Sequence, residues 1–328
     1  MKHSIALVTG ATSGLGYAAA RTLAGEGWRE LIITGRSLAR IQYAAAQLAA
    51  DTKTQVFTPL ELDLNTPASV QSALAELVKR DQPIDFLLLN AGLIPGKQRV
   101  LTVAGIEAAQ APLIGHHQLT VGLLRANLLS PNARIVIAGS EAARGDVPLF
   151  SFTDVAALAA TKFHGDRSAA VKAVVHNGPN VKYWANRAYA DAKTVVAWWV
   201  AALARRLPAG MAAYAVSPGS TPDTQGLRNA GPALKWLMVP LVKLIPGMSH
   251  TPETAARRYL HASKFGTDVS GQFFASAPKK LTGPIEAMRQ PHFHDRANQE
   301  AAWQAVVDIS GVDLSPNHSL NSDHHNKP

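Results

Sequence analysis

A doubly wound α/β fold, a parallel sheet covered by helices on both faces, is what this sequence predicts. Three observations carry the expectation. Short apolar runs alternate with helix-length stretches through the first two thirds of the chain, and a glycine-rich turn, TGATSGLG at 9–16, stands directly between the first such run and the first helical stretch. The 328 residues are 47% hydrophobic and 17% charged, which suits one large α/β domain or two small ones.

The elements follow in order. IALVT (5–9) reads as a strand, and a helix runs from Gly14 to Glu26. ELIITG (30–35), a helix at 38–50, VFTPLEL (56–62) and a helix at 67–80 continue the alternation. IDFLLLN (84–90), a helix near 105–128 and ARIVIAG (133–139) come next. A helix opening on RAYADAK (187–193) precedes MAAYAVS (211–217) and SGQFFAS (270–276). Strands separated by helices require right-handed crossovers and a parallel sheet, with ligands at the carboxyl ends of its strands. Two stretches break the rhythm: 141–186 is too long for a loop and reads as an insertion, and 220–250 is apolar but cut by Pro232, Pro240 and Pro246. The expected organisation is a single domain over 1–315 with a disordered tail at 316–328, whose His318, His324 and His325 read as solvated rather than metal-holding.

The composition excludes several classes. With no cysteine, disulfides, thiolate metal sites and a cysteine nucleophile are out, and no metal site is expected. No apolar stretch has the length of a membrane span, and the start runs into the glycine turn without a signal-peptide cleavage site, so the cytoplasm is the default compartment. The formal charge is +9, but the basic residues are dispersed in pairs such as Arg205-Arg206 and Lys279-Lys280, without a nucleic-acid-binding stripe. A basic balance also suits an enzyme with phosphorylated ligands.

In TGATSGLG, Gly10 permits a tight turn, Gly14 lets backbone approach a pyrophosphate and Gly16 lets the helix pack close. The helix amino end offers free N–H groups and a positive dipole to phosphate. Twenty residues on, Arg36 in TGRS stands where an acidic residue would hold a ribose 2′-hydroxyl. An acid there would repel a 2′-phosphate, whereas arginine offers donors to it, so NADP is expected over NAD.

Tyr189 and Lys193 are four apart and share one helical face ahead of a run that is almost wholly apolar. Alone, the pair reads as a polar cap on a core helix. Together with TGATSGLG, NAG at 90–92, and Ser140 after the fifth strand, YADAK makes the chain resemble the short-chain dehydrogenase/reductase family, whose fold is the Rossmann fold, over roughly 4–275. Within it, TPETAARRYLHAS (251–263), VSGQFFAS (269–276) and AWQAVVDISGV (302–312) resemble retinol-dehydrogenase-like and protochlorophyllide-reductase-like members. The latter rely on cysteines that this chain lacks, which argues against their activity here.

The resemblance implies an NADP-dependent oxidoreductase acting on a carbonyl/alcohol pair. It assigns Tyr189 as general acid/base, Lys193 as the cation that lowers the tyrosine's pKa and bonds the nicotinamide ribose, and Ser140 as the donor to the substrate oxygen. It carries cofactor contacts onto Thr12, Ser13 and Leu15 of the turn, Asp63 and Leu64, Asn90, Ala91 and Gly92, and Pro218 and Gly219. The 220–250 segment follows SPGS, where family members carry a mobile lid; Leu234, Trp236, Leu237, Met238, Leu241 and Leu244 could wall a lipophilic substrate pocket or simply pack. Trp236 with Lys235 and Lys243 could also rest on a membrane surface. Nothing in the sequence fixes the oligomeric state, a homodimer included. One departure stands out: APLIGHH places Pro112 opposite an asparagine of the family's proton relay, where proline disfavours a regular helix. Gln110, His116 and His117 could substitute or be structural, and a catalytically weak NADP-binding protein acting through a partner is the rival reading.

Overall fold

The computed structural model describes residues 5–178, 180–221 and 248–314. Eight described strands form one sheet in the order β3-β2-β1-β4-β5-β6-β7-β8. They are β1 (Ile5–Val8), β2 (Glu30–Gly35), β3 (Phe57–Glu61), β4 (Ile84–Leu89), β5 (Leu129–Ala138), β6 (Ala212–Val216), β7 (Phe273–Ser276) and β8 (Ile285–Ala287). All neighbours are parallel except β7 and β8, whose pairing is antiparallel. The parallel, doubly wound architecture expected from the alternation is therefore present, and its order reverses between β1 and β4. A crevice opens at the carboxyl ends of these strands for that topological reason. β8 was not anticipated, since three residues beside a proline carry no strand periodicity.

Strands covered on both faces are apolar throughout, and alternate residues supply opposite cores. Ile5 and Leu7 join one core with Leu77, Leu119 and Trp199; Ala6 and Val8 join the other with Leu23, Ile41 and Tyr259. The first face carries α3 (Pro67–Arg80), α4 (Ala111–Arg125) and α7 (Ala185–Ala204). The second carries α1 (Gly14–Ala24), α2 (Leu38–Thr52) and α8 (Pro252–Ala262).

The 141–186 stretch holds α5 (Val155–Lys162) and α6 (Arg167–His176). Each opens on an aspartate: Asp154 accepts from the Ala157 N–H and Asp166 from the Ala169 N–H. The segment is fastened to α7 by Asp191, which accepts from Thr153 N at 2.5 Å and Thr153 Oγ1 at 2.9 Å. After a short helix, α9 (Pro291–His294), comes α10 (Arg296–Ser310), the last described helix, capped by Asp295 and ended by Gly311 in the left-handed conformation.

α4 corrects two expectations. The helix begins at Ala111 rather than near 105, because residues 101 and 107 pair in an antiparallel bridge and use that backbone first. Pro112 thus falls in the first turn, where the missing N–H has no intrahelical partner and the fixed φ suits the helix. It does not break the helix.

α7 is apolar almost all round because it is enclosed by the sheet, α6 and α10. Its Trp198 donates to His292 O at 2.7 Å, and its Trp199 donates to His117 Nδ1 at 3.0 Å and stacks on Trp303. Because Nδ1 accepts, His117 must carry its proton on Nε2, which lies 2.7 Å from Val312 O. A second proton has nowhere to go. Burial pushes His117 down to about 4 and the buried His116 down to about 3, the Lys193 charge adding to the effect on His116. Both imidazoles stay neutral in the native protein while the unfolded chain protonates below its ordinary value of about 6.5. The two histidines' contribution to stability is therefore full above pH 6.5 and is lost on acidification, by about 3–5 kcal/mol at pH 4.5; the buried Asp191, raised to about 7, works in the opposite direction over the same range. His117→Gln keeps an acceptor for Trp199 and a donor for Val312; in denaturant titrations the variant is expected to gain about 2–3 kcal/mol relative to the unmodified chain between pH 7 and 4.5, as the penalty of its neutral imidazole disappears.

Candidate active site

The turn between β1 and α1 is built from backbone. Gly10 and Gly14 have φ of +68° and +59°, in the left-handed region. A Cβ on Gly16 would collide with the Gly10 carbonyl oxygen and come within 2.6 Å of Asn90 Nδ2. Asn90 Nδ2 in turn donates to Thr9 O at 3.0 Å, and the Thr9 hydroxyl accepts from Ala91 N–H at 3.0 Å. These bonds stitch the ends of β1 and β4 together where the strand order reverses. The same hydroxyl is 2.9 Å from His116 Nε2 on α4, which gives that buried histidine a structural partner.

Across the crevice, α7 presents Tyr189 and Lys193 on one face. Lys193 Nζ donates to Ala138 O at 2.8 Å and lies 5.8 Å from the centre of the Tyr189 ring. Ser140, just past β5, starts a short 3-10 turn (Glu141–Arg144), its Oγ accepting from Ala142 N–H at 3.2 Å. Tyr189 is raised above the ordinary tyrosine value, first by burial and further by the Glu141 charge, against a lowering hydrogen bond with Ser140. The expectation that Lys193 lowers it is not met in the free protein. Burial also pulls Lys193 down, to about 8, so its own charge is held weakly.

One cavity of ≈ 770 Å³ joins the two sides. Every residue assigned from the sequence to the cofactor or to the chemistry borders it, from Gly10 through Arg36 and Asp63 to Ser140, Tyr189, Lys193 and Gly219. Arg36 is exposed at its rim, and Asp63 accepts from Asn65 N–H at 3.1 Å. Leu234, Trp236 and Leu237, with nearly all of the expected lid and the whole 316–328 tail, lie outside the described residues. Sequence reasoning missed Phe150, whose ring meets Tyr189 edge-on at 6.1 Å, and Tyr259 of α8. It missed Glu141 as well, although that carboxylate follows Ser140 directly. Pro112 also borders the cavity.

The short chain dehydrogenase family model matches residues 4–167. The chain belongs to the short chain dehydrogenase family. It is an oxidoreductase, and among its relatives this dehydrogenase is 33% identical over 221 residues to the oxidoreductase fscI of Fusarium equiseti, covering 65% of this chain and 85% of the relative. It is 25% identical to retinol dehydrogenase 12 of Homo sapiens, covering 94% and 86% of the two chains. A short chain dehydrogenase from Burkholderia cenocepacia J2315, solved in complex with NADP, shares the fold at a TM-score of 0.58 and 23% identity, over 82% of this chain and 94% of that one. Among the described residues of this dehydrogenase, no helix is long and apolar enough to cross a membrane, and no cluster of three or more ligating side chains could hold a metal.

Proposed function

We propose that this dehydrogenase interconverts a carbonyl and an alcohol on an apolar small molecule with NADP(H), Tyr189 serving as the acid/base. The observation that carries the reading is convergence: the glycine turn, Arg36 and the Ser140–Tyr189–Lys193 group border a single cavity.

The residues present fit a dinucleotide. The Gly16 approach leaves bare backbone at the α1 amino end for a pyrophosphate, and Arg36 offers its guanidinium at the distance along the chain where a 2′-phosphate would lie. The buried Tyr259 hydroxyl, on the cavity wall, has no hydrogen-bond partner among the described residues, a deficit that a bound polar group would relieve. Asn90, Ala91 and Gly92 would line the adenosine side with Asp63, and Lys193 would take the nicotinamide ribose.

The cofactor, when bound, supplies the two-electron reduction. The chain's own residues handle the proton. Ser140 donates to the carbonyl oxygen and orients it, and Tyr189 passes its phenolic proton to that oxygen as negative charge develops. A tyrosine raised by burial is fully protonated near neutrality, which suits the reducing direction. Lys193 then stabilises the tyrosinate left behind, and solvent returns the proton.

A second reading, a catalytically weak NADP-binding protein, draws on Pro112, which brings no side-chain amide to the cavity. NADPH oxidation measured over a panel of lipophilic aldehydes and ketones separates the two. Turnover on a panel member supports the enzyme; tight NADPH binding with no turnover on any would overturn it in favour of the second. For the cofactor, Arg36→Asp is expected to remove most of the preference for NADPH over NADH, about tenfold or more in the ratio of dissociation constants. Equal affinities for the two cofactors in the unmodified protein would sink the assignment.

A further inference from the structure

We propose that the buried Glu141–Arg258 pair is a positioning device that clamps the 217–220 loop, and the nicotinamide end of the cofactor with it, against the catalytic Ser140. The part concerning the cofactor rests on the function proposed above.

Glu141 and Arg258 are 117 residues apart, and their side chains are each only 6% exposed. Arg258 Nη1 donates to Glu141 Oε1 at 3.2 Å and to Ser217 O at 3.1 Å. Its Nη2 donates to Ser276 Oγ at 2.8 Å and to Gly283 O at 2.7 Å. Glu141 also accepts from Ser217 Oγ through its other oxygen and from Ser276 Oγ at 3.0 Å. One ion pair thus ties together the serine turn, the loop after β6, the end of β7 and the segment beyond it.

The loop it holds is part of the cavity wall. Pro218, Gly219 and Ser220 all border the site. Gly219, at φ +81°, is pressed so close that a Cβ there would come within 2.8 Å of Arg258 Nη1. His250 holds the outer side, its Nε2 2.6 Å from Pro218 O and its N–H donating to Ser220 O at 3.0 Å. Glu141 adjoins Ser140 in the chain, so the carboxylate anchors the loop to the same turn that carries the serine.

Stability alone does not call for this arrangement. Two charges taken out of water lose as much hydration as their attraction returns, and apolar residues of similar volume often serve as well. What an apolar pair lacks is direction. The several bonds from Arg258 and Glu141 fix where the loop backbone lies relative to Ser140, and a reacting geometry needs that registration.

The test is Glu141→Leu/Arg258→Met, which removes both charges together and leaves neither unpaired. The expected result is a folded protein of lower thermal midpoint, because the Ser217 and Gly283 carbonyls and the Ser276 hydroxyl lose a partner, with amide exchange at 217, 219 and 220 in the free protein faster by about tenfold or more relative to the amides of the central strands. NADPH affinity is expected to fall about tenfold and turnover to fall with it, while substrate KM changes little. Ser217→Ala cuts the hydroxyl's bond to Glu141 and also its local acceptance from the Gly219 N–H at 3.2 Å; it is expected to fold normally and to loosen the 217 and 220 amides and NADPH binding by about threefold or more, and it decides the matter if the double variant does not fold. Unchanged exchange at the loop together with unchanged NADPH affinity overturns the clamp. If the unmodified protein binds no NADPH, the proposed function fails instead, and the exchange measurement still decides whether the pair holds the loop.

Discussion

Tyr189→Phe is expected to reduce turnover by about a hundred- to ten-thousand-fold, the usual contribution of a positioned acid. NADPH affinity should be nearly untouched, because the substitution keeps the ring, its edge-on contact with Phe150 and its place above Lys193. Removal of the hydroxyl also ends the bond with Ser140, so part of the loss reflects a less constrained serine. Single-turnover rates and NADPH titration, run side by side, check both halves. Near-normal turnover on a confirmed substrate would show that another group carries the proton, and the proposed mechanism would be wrong even with the fold and cofactor right.

Lys193→Met is expected to behave oppositely in two assays. Turnover and NADPH affinity should both fall by about tenfold or more, since the ammonium serves tyrosine and ribose together. The free protein, however, should become more stable. Burial lowers the native Lys193 to about 8 from an ordinary 10.5, so its charge in the folded state is a burden. The burden is full below pH 8, where native and unfolded chains are both protonated, and fades between pH 8 and 10.5 as only the unfolded chain keeps its proton. At pH 7 the methionine variant should gain about 1–3 kcal/mol, and the gain should vanish toward pH 10.5. A methionine variant less stable than the unmodified protein at pH 7 would show that the bond to Ala138 outweighs desolvation.

What could be read from the chain follows the range of the interactions involved. The glycine turn at 9–16 is legible because the left-handed φ of Gly10 and Gly14 and the approach of Gly16 to the Gly10 carbonyl are set within a few residues, and Tyr189 and Lys193 because one helical turn brings them together. The strand alternation is equally local, and the observed sheet follows it through β7. Glu141 and Arg258 stand in no motif and meet only after the whole sheet has formed between them. Tyr259 lies hidden in the same way, inside a helical pattern in which it looks like core. Pro112 was misjudged because its effect depends on where α4 starts, and the pairing of 101 with 107 sets that start. The direction of the tyrosine shift depends on how deeply Tyr189 is covered and on the charge of Glu141, neither of which spacing reveals.

The enclosure of α7 bears on how the enzyme comes into being on the ribosome. Trp199 and His117 are covered by Trp303 of α10, more than a hundred residues farther along the chain. At about 5–20 residues per second, on the order of 5–20 s separates the emergence of the two segments. During that interval Trp199 lacks its stacking partner Trp303 and Trp198 lacks its acceptor at His292, although most of the sheet already exists. Until α10 emerges, the chain therefore carries an apolar helix that lacks part of its cover, the kind of transiently exposed surface through which large domains aggregate.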